Sequence, residues 1–188
     1  SVRYPSQIDE DAVREMCARA VAAVGLTTGV AHIEFAMTTE GPRLLELGAR
    51  CGGGHTPLLA RHVSGVDEIA EVCRMACGQP PRNVEPAQRR GGEYRFLAFP
   101  PGVLQEAIVP EEVRREPRLC DAEVLGDAGT QLRDVRTGAD RAGFVVTFGE
   151  DRDEAIAVAD WAASRIAVRY DDGTMRHARS LAELGELR

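Results

Sequence analysis

The chain has 188 residues, enough for one domain or slightly more, and its apolar content of 44% and charged content of 28% are those of an ordinary soluble globular protein. Its net charge of −7 argues against nonspecific nucleic-acid binding, and no apolar run approaches the roughly eighteen residues of a membrane-spanning helix. All 23 basic residues are arginine, which excludes a Walker-type phosphate lysine and Schiff-base chemistry from within this chain.

The cysteine pattern indicates the cellular compartment. The five cysteines are odd in number and form no C-x-x-C pair, which favours a reduced cytoplasmic protein. The acidic balance and the lack of a long apolar run predict that neither nucleic acid nor a membrane is a partner.

The first half of the sequence has the patterns of three helices and one hairpin. Apolar residues at helical spacing, acids at the start and glycine at the end predict the helices, and two short apolar runs around T-T-E-G predict the hairpin. In chain order the elements are a helix over residues 8–25, strands over 30–37 and 42–48, and helices over 55–65 and 67–78. The second helix is expected to have Thr56 as its N-cap and Pro57 in its first turn.

The second half of the sequence has a different residue pattern. Residues 80–92 are rich in proline, arginine and glycine, as in a linker. Beyond them, short apolar runs separated by Gly/Pro turns predict strands, and one strongly periodic segment predicts a closing helix. The predicted strands cover residues 92–100, 102–110, 119–126 and 142–150, and the helix covers 151–168. The sequence therefore predicts an α+β fold with a second half made mostly of antiparallel sheet.

The register of the predicted hairpin brings two glutamates together. If Thr38 pairs with Pro42 around a three-residue loop, Glu34 lies directly opposite Glu46. Arg50 follows just beyond the end of the second strand. Strand alternation places the two acids on one face with His32, Ala36, Leu44 and Gly48. The other face is then a core surface of Ile33, Phe35, Met37, Leu45 and Leu47.

Two carboxylates directly opposite on a sheet repel each other, unless water screens them or a cation bridges them. Two solvated acids on an exposed face are the ordinary explanation. The neighbouring residues favour a bridging cation: Arg50 offers a planar donor fork for phosphate or carboxylate, and C-G-G-G-H-T-P brings backbone amides to a helix N-terminus, a typical anion site. Together these features predict a magnesium–phosphate centre. The role of His55 stays open between capping, solvent contact and substrate contact.

The motifs H-I-E-F and L-L-E-L-G-A-R-C-G-G-G-H resemble the metal-binding end of ATP-grasp enzymes. The resemblance implies that Glu34 and Glu46 hold the magnesium ions of ATP, with Mn²⁺ as an alternative metal. It also implies that Arg50 contacts the phosphates and the activated substrate. Leu45, which precedes the second acid, would touch adenine, and a place in the core is the alternative for this side chain. The wall of the acyl-substrate pocket is assigned to Gly53, Gly54 and His55.

One departure from the superfamily pattern points to a branch. Gly48 stands where most members have a metal-ligating asparagine, and members resembling the L-amino-acid ligases share a small residue there. The run E-L-G-A-R-C-G-G-G-H and the strand pattern after the linker are similar to that branch. The implied domains are residues 1–85 as the C-terminal part of the ATP-grasp catalytic subdomain, with the metal-binding acids, 86–170 as a β-rich closing domain, and 171–188 as a tail.

The reaction implied by the resemblance is ATP-dependent amide or peptide bond formation from an amino acid or small carboxylate and an amine, through an acyl phosphate. The upstream subdomain of such enzymes carries phosphate-binding lysines and a glycine loop, whereas this chain has no lysine and opens without methionine. We therefore expect a C-terminal piece of a longer enzyme that is inactive alone. Its partners would be the upstream part of the same enzyme and these substrates, with a homodimer left open.

Two other interpretations remain. A carboxylase of the biotin-carboxylase or purine-biosynthesis type would activate bicarbonate or formate, although the asparagine expected in the former is replaced by Gly48. A non-catalytic dimerisation or lid module would keep its acids as relics. Phosphate-binding lysines in the upstream sequence would distinguish an active enzyme from such a module.

Overall fold

The computed structural model describes residues 1–6, 8–82, 86–87 and 89–179. The chain divides into two units, and these are named the first unit (Ser6–Arg89) and the second unit (Ser1–Pro5 together with the chain from residue 90). Antiparallel sheets and short helices alternate within them, so the predicted α+β class is confirmed. The predicted linker over 80–92 and tail over 171–188 lie partly outside the described residues.

Most helices and strands lie where the sequence patterns predict them, but the predicted helix over 151–168 is partly wrong, because it ends at Ala163 and a strand follows at Ala167–Tyr170. In chain order they are β1 (Val2–Tyr4), α1 (Glu10–Ala23), β2 (His32–Thr38), β3 (Gly41–Gly48), α2 (Thr56–Ser64), α3 (Glu68–Ala76), β4 (Gly91–Leu97), β5 (Gly102–Ile108), α4 (Glu111–Arg114), β6 (Leu119–Val124), β7 (Gln131–Leu132), β8 (Gly143–Gly149), α5 (Arg152–Ala163), β9 (Ala167–Tyr170) and β10 (Met175–His177). A short 3₁₀ helix covers Gly138–Asp140.

Side-chain caps start two helices of the first unit. Asp9 accepts hydrogen bonds from two backbone amides at the start of α1, and Asp67 accepts one from the amide of Ala70 in α3. The predicted N-cap of α2 is wrong, because Thr56 is the first helical residue and His55 is the cap. The helical hydrogen bonds begin one residue early, since the Leu59 amide donates to the carbonyl of His55 at 2.9 Å.

Strands β2 and β3 pair antiparallel, and the pairing at their far end is the predicted one. Glu34 lies opposite Glu46, and the preceding pairs His32–Gly48 and Ile33–Leu47 follow the same regular antiparallel register. Nearer the turn the register shifts, so that Phe35 faces Leu44. The predicted Thr38–Pro42 pair and the place of Leu44 on the acidic face are therefore wrong.

The shift has two causes in the chain. Thr38 pairs with Gly41 around a two-residue turn, in which the Thr38 hydroxyl donates to the Gly41 carbonyl at 2.8 Å and accepts from the Glu40 amide at 3.1 Å. Gly41 has a φ of +101°, which a residue with a side chain rarely adopts. Leu45 is the additional residue of a β-bulge, and it is 68% exposed, so its predicted place in the core is also wrong.

The second unit contains two four-stranded antiparallel sheets, with strand orders β1-β4-β8-β6 and β10-β9-β5-β7. Helix α5 packs against β4 and β8. Strand β1 was not predicted, and it pairs with β4 through Val2–Tyr94 and Tyr4–Gly92. The core of this unit is formed by buried side chains that include Leu97, Phe99, Leu104, Val113, Val145, Ile166 and Val168.

Acid pH should weaken the second unit through two carboxylates that share Arg118. The Arg118 guanidinium donates to Glu116 at 2.8 Å and to Glu154 at 2.6 Å. Hydrogen bonding from Arg118 lowers the pKa of Glu116, and the Glu150 amide together with Arg118 lowers the pKa of Glu154. Because these pKa values are lower in the folded state, their stabilisation is present above the unfolded value of about 4.3 and is lost as pH falls through the folded values.

We therefore expect the urea midpoint of the wild type to change little between pH 7 and 5.5 and to fall below about pH 4.5. In Glu154→Gln the fall should be shallower, because one of the linked carboxylates no longer titrates. Denaturation curves at several pH values measure this difference. An identical pH slope in the two proteins would contradict the assignment.

Candidate active site

Glu34 and Glu46 lie side by side on the outer face of the hairpin. They form a directly opposed pair, as predicted, and their side chains are 56% and 61% exposed. Directly opposed residues of this kind have Cβ atoms about 4.5–5.5 Å apart, close enough for one cation to touch both carboxylates. The predicted shared face and its openness to solvent are confirmed. The roles of the two acids as metal ligands remain predictions.

The carboxylates of Glu34 and Glu46 fit a magnesium site only if further ligands complete it. Within the described residues, no group of three or more His, Cys, Asp or Glu side chains could hold a metal ion. Mg²⁺ is commonly bound through one or two carboxylates, with water and substrate phosphates completing its octahedron. Two exposed glutamates fit that pattern, and Mn²⁺ takes the same oxygen ligands.

Arg50 lies next to Glu46, as the hairpin register predicts. Its Nη2 is 3.6 Å from a Glu46 carboxylate oxygen, and its Nη1 donates to the carbonyl of Cys51 at 3.0 Å. The guanidinium stem lies over Gly48, since a Cβ atom on that glycine would be 3.2 Å from Arg50 Nε. The missing side chain at position 48 thus makes room for the arginine beside the second acid.

The glycine loop (Cys51–Gly54) leads from the hairpin into α2. Gly52 is tightly enclosed, because a Cβ atom there would be 2.8 Å from Thr56 Cγ2. Gly53 is open, with no atom within 4 Å of such a Cβ, and Gly54 has a φ of +57°. Since Gly53 and Gly54 are exposed, their backbone is accessible to a ligand, whereas His55 is half-buried.

The Glu68 carboxylate lies near the start of the glycine loop, at Cys51 and Gly52. Burial raises the pKa of Glu68, and the nearby His32 and the polar hydrogens of Cys51 and Gly52 oppose that rise.

Two residues near the site have contacts that the sequence analysis did not predict. His32 is on the acidic face, as expected, but its contact with an acid was not predicted: its Nε2 lies 3.4 Å from a carboxylate oxygen of Glu34. Glu68 is the first residue of α3, where an acid is normally explained by the helix dipole. Leu45 is exposed at the bulge, which leaves adenine contact as the remaining predicted role for this side chain.

Known proteins resemble both the sequence and the fold. Residues 95–171 match the family model described as L-amino acid ligase C-terminal domain 2. Dapdiamide A synthase of Enterobacter agglomerans is 27% identical over 119 residues, which cover 59% of this chain and 27% of that protein. The predicted resemblance to the ATP-grasp ligases, and within them to the L-amino-acid ligases, is confirmed.

A second curated relative is the uncharacterized protein y4rH of Sinorhizobium fredii. It is 29% identical over 163 residues, which cover 81% of this chain and 34% of that protein. The chain thus spans about a third of the length of the curated relatives it matches.

Solved structures share the fold at low sequence identity. Phosphoribosylglycinamide synthetase from Anaerococcus prevotii matches with a TM-score of 0.79 and 15% identity, over 90% of this chain and 44% of that chain. L-amino acid ligase from Bacillus licheniformis matches with a TM-score of 0.76 and 19% identity, over 90% and 43%. Biotin carboxylase from Campylobacter jejuni matches with a TM-score of 0.65 and 20% identity, over 94% and 39%. None of the helices among the described residues is both long and apolar enough to cross a bilayer.

Proposed function

We propose that this chain is the metal-binding and closing part of an ATP-dependent carboxylate–amine ligase. The observation that supports this most directly is the exposed, directly opposed pair Glu34–Glu46, with Arg50 at its end and an open glycine loop beyond. The family match over residues 95–171 supports an amino acid as the activated carboxylate. The upstream part of the same enzyme would supply the remaining nucleotide contacts.

The proposed reaction has two steps. A substrate carboxylate oxygen attacks the γ-phosphorus of ATP, the bond from that phosphorus to the bridging oxygen breaks, and ADP leaves. An amine nitrogen then attacks the carbonyl carbon of the acyl phosphate, the carbon–oxygen bond breaks, phosphate leaves and the nitrogen loses a proton. The product is an amide or a dipeptide.

Each residue of the site has a proposed role in this reaction. Glu34 and Glu46 would hold Mg²⁺, whose charge would offset the negative charge of the transferring phosphoryl group. Arg50 would donate to the acyl phosphate and to the oxyanion of its tetrahedral adduct, where charge develops. Leu45 would cover one face of adenine. The acyl-substrate pocket would be lined by Gly53, Gly54 and His55.

The isolated chain should turn over no ATP. Catalysis requires the phosphates to be positioned from both sides, and this chain contains no lysine to bind them. Purified chain with ATP, magnesium and an amino-acid mixture should release phosphate at the background rate. Release above background that disappears in Glu46→Gln would contradict this expectation.

Carboxylation is the second candidate function, because biotin carboxylase shares the fold. The complete enzyme distinguishes the two candidates. A ligase releases phosphate in response to amino acids, whereas a carboxylase responds to bicarbonate and its acceptor. The absence of either response would favour a non-catalytic dimerisation or lid module.

A further inference from the structure

His32 lies beside the first of the two acids on the outer face of the hairpin. Its Nε2 atom is 3.4 Å from a carboxylate oxygen of Glu34, two residues along the same strand. Glu46 has a corresponding neighbour in Arg50, whose Nη2 atom is 3.6 Å from its carboxylate. Each acid of the opposed pair therefore has a nitrogen-bearing side chain close to its carboxylate, and His32 is the one that the proposed reaction does not use.

The His32 ring lies where two glycines leave room for it. Its cross-strand neighbour is Gly48. Its Nδ1 atom faces the start of the glycine loop, where a Cβ atom on Gly52 would be 3.4 Å away. The His32 side chain is only 26% exposed, whereas the side chains of Glu34 and Glu46 are 56% and 61% exposed. The ring is therefore the more restrained partner in its contact with Glu34, and it limits the positions that the carboxylate can take.

Such a restraint matters for a carboxylate that binds a cation. An exposed glutamate side chain has many conformations, and a neighbour that restricts them before binding reduces the entropy cost of binding. Carboxylates that ligate metals are themselves hydrogen-bonded, and loss of such an outer group lowers metal affinity about ten- to a hundredfold. A neutral imidazole can carry its proton on Nε2 and donate it to a carboxylate oxygen, so His32 has both the position and the chemistry for this role.

We propose that His32 is a positioning residue of the cation site, which orients the Glu34 carboxylate for a divalent cation shared with Glu46. The proposal rests on the function proposed above, which assigns the two acids to metal. His32 itself would touch neither the cation nor the substrate. Its removal would leave both acids in place and free the Glu34 side chain, so that cation affinity falls while the fold is retained.

The first test measures Mn²⁺ binding to the purified chain without nucleotide. Mn²⁺ broadens the NMR signals of nearby nuclei, so a titration should selectively broaden the signals of Glu34 and Glu46, and its midpoint gives the affinity. In His32→Ala this affinity should fall about tenfold. His32→Gln keeps an N–H donor of similar reach and should recover part of the loss. His177→Ala is the control, because this exposed histidine lies on β10 in the second unit, and it should match the wild type.

His32→Asn is a second loss variant that keeps a polar side chain. Its shorter amide does not reach the Nε2 position, so it should lose as much Mn²⁺ affinity as His32→Ala. Urea denaturation checks that both variants remain folded. Wild-type Mn²⁺ affinity in His32→Ala and His32→Asn would overturn the proposal, and so would the absence of broadening at both glutamates in the wild type.

A double-mutant cycle tests whether His32 acts through Glu34. Glu34→Gln removes the carboxylate that His32 would orient, so adding His32→Ala in that background should change the remaining Mn²⁺ affinity little. An undiminished effect of His32→Ala in the Glu34→Gln background would overturn the proposal, because His32 would then act by another route.

The second test uses the complete enzyme, with phosphate release from ATP and an amino-acid mixture measured at increasing Mg²⁺ concentrations. His32→Ala should raise the Mg²⁺ concentration for half-maximal rate about tenfold, with kcat at saturating Mg²⁺ near the wild-type value. A general loss of folded protein would instead lower kcat at every Mg²⁺ concentration. His32→Gln should restore part of the Mg²⁺ dependence.

The two proposals fail in different ways. If Glu46→Gln leaves turnover unchanged, the proposed function is wrong, even where the Mn²⁺ cycle shows coupling between His32 and Glu34. If Glu46→Gln abolishes turnover while His32→Ala keeps the wild-type Mn²⁺ affinity and Mg²⁺ dependence, the function stands and the positioning role is overturned.

Discussion

Replacing Glu46 by glutamine in the complete enzyme should abolish turnover and leave the fold intact. The substitution removes one of the two proposed metal ligands, so the charge on the transferring phosphoryl group is no longer offset. We expect a loss of about a hundred- to a thousandfold in kcat, the range for removing one group that stabilises charge in a transition state. Steady-state phosphate release measures it, and circular dichroism checks the fold.

Stability is the control for this substitution. Glu46 is 61% exposed and its nearest charged partner is Arg50 at 3.6 Å, so the ion pair contributes little, while repulsion by Glu34 is relieved. Thermal stability should therefore stay level or rise slightly. Glu40→Gln, at the exposed turn of the same hairpin, should leave both activity and stability unchanged. Unfolding of Glu46→Gln would identify Glu46 as a structural acid instead.

The largest effect on stability is expected at Glu93 in β4. Its side chain is fully buried and accepts hydrogen bonds from Arg95 at 2.8 Å and from Arg3 at 3.1 Å. Removing one member of a buried ion pair leaves the other charge without its partner in a desolvated place. Glu93→Ala should therefore lower the free energy of unfolding by about 3 kcal/mol, measured by urea denaturation.

A double variant separates the charge from the packing. Arg95 keeps a second partner in Glu93→Ala, the exposed Asp160, so part of its charge remains compensated. Replacing both members, as Glu93→Leu with Arg95→Met, should recover most of the lost stability. Glu112→Gln is the surface control; it removes the exposed Arg165–Glu112 pair and should change the free energy of unfolding by less than about 1 kcal/mol. A loss in Glu93→Ala no larger than in this control would contradict the buried network.

The hairpin shows how far sequence alone could predict the site. The assumed pairing of Thr38 with Pro42 placed Glu34 opposite Glu46, and this acid pair is right although the turn is not, because the additional residue at the bulge compensates for the shorter turn. Nearer the turn, L-L-E-L fits two registers, and the bulge at Leu45 allows both the two-residue turn and the acid pair. Hydrophobic pattern alone could not distinguish these registers.

Contacts between distant segments were not predicted for a different reason. The three residues of β1 are too few to show a period, and their partner strand begins at Gly91. Glu68 has the same sequence appearance as any acid at a helix start, and only the fold brings it to Gly52. Local sequence patterns predict local structure, so contacts between residues far apart in the sequence were identified only in the three-dimensional structure.

The pairing of β1 with β4 links the folding of the two units through chain entropy. Residues 5–91 form a loop closed by that pairing, and the entropy cost of closing a loop grows with the logarithm of its length. In the folded first unit, Arg89 lies 3.4 Å from Glu10, so the two ends of this segment are already near each other. Folding of the first unit therefore shortens the effective loop that β1 must close. A destabilised first unit should loosen the edge of the second unit's sheet, and this linkage requires no side-chain contact between the units.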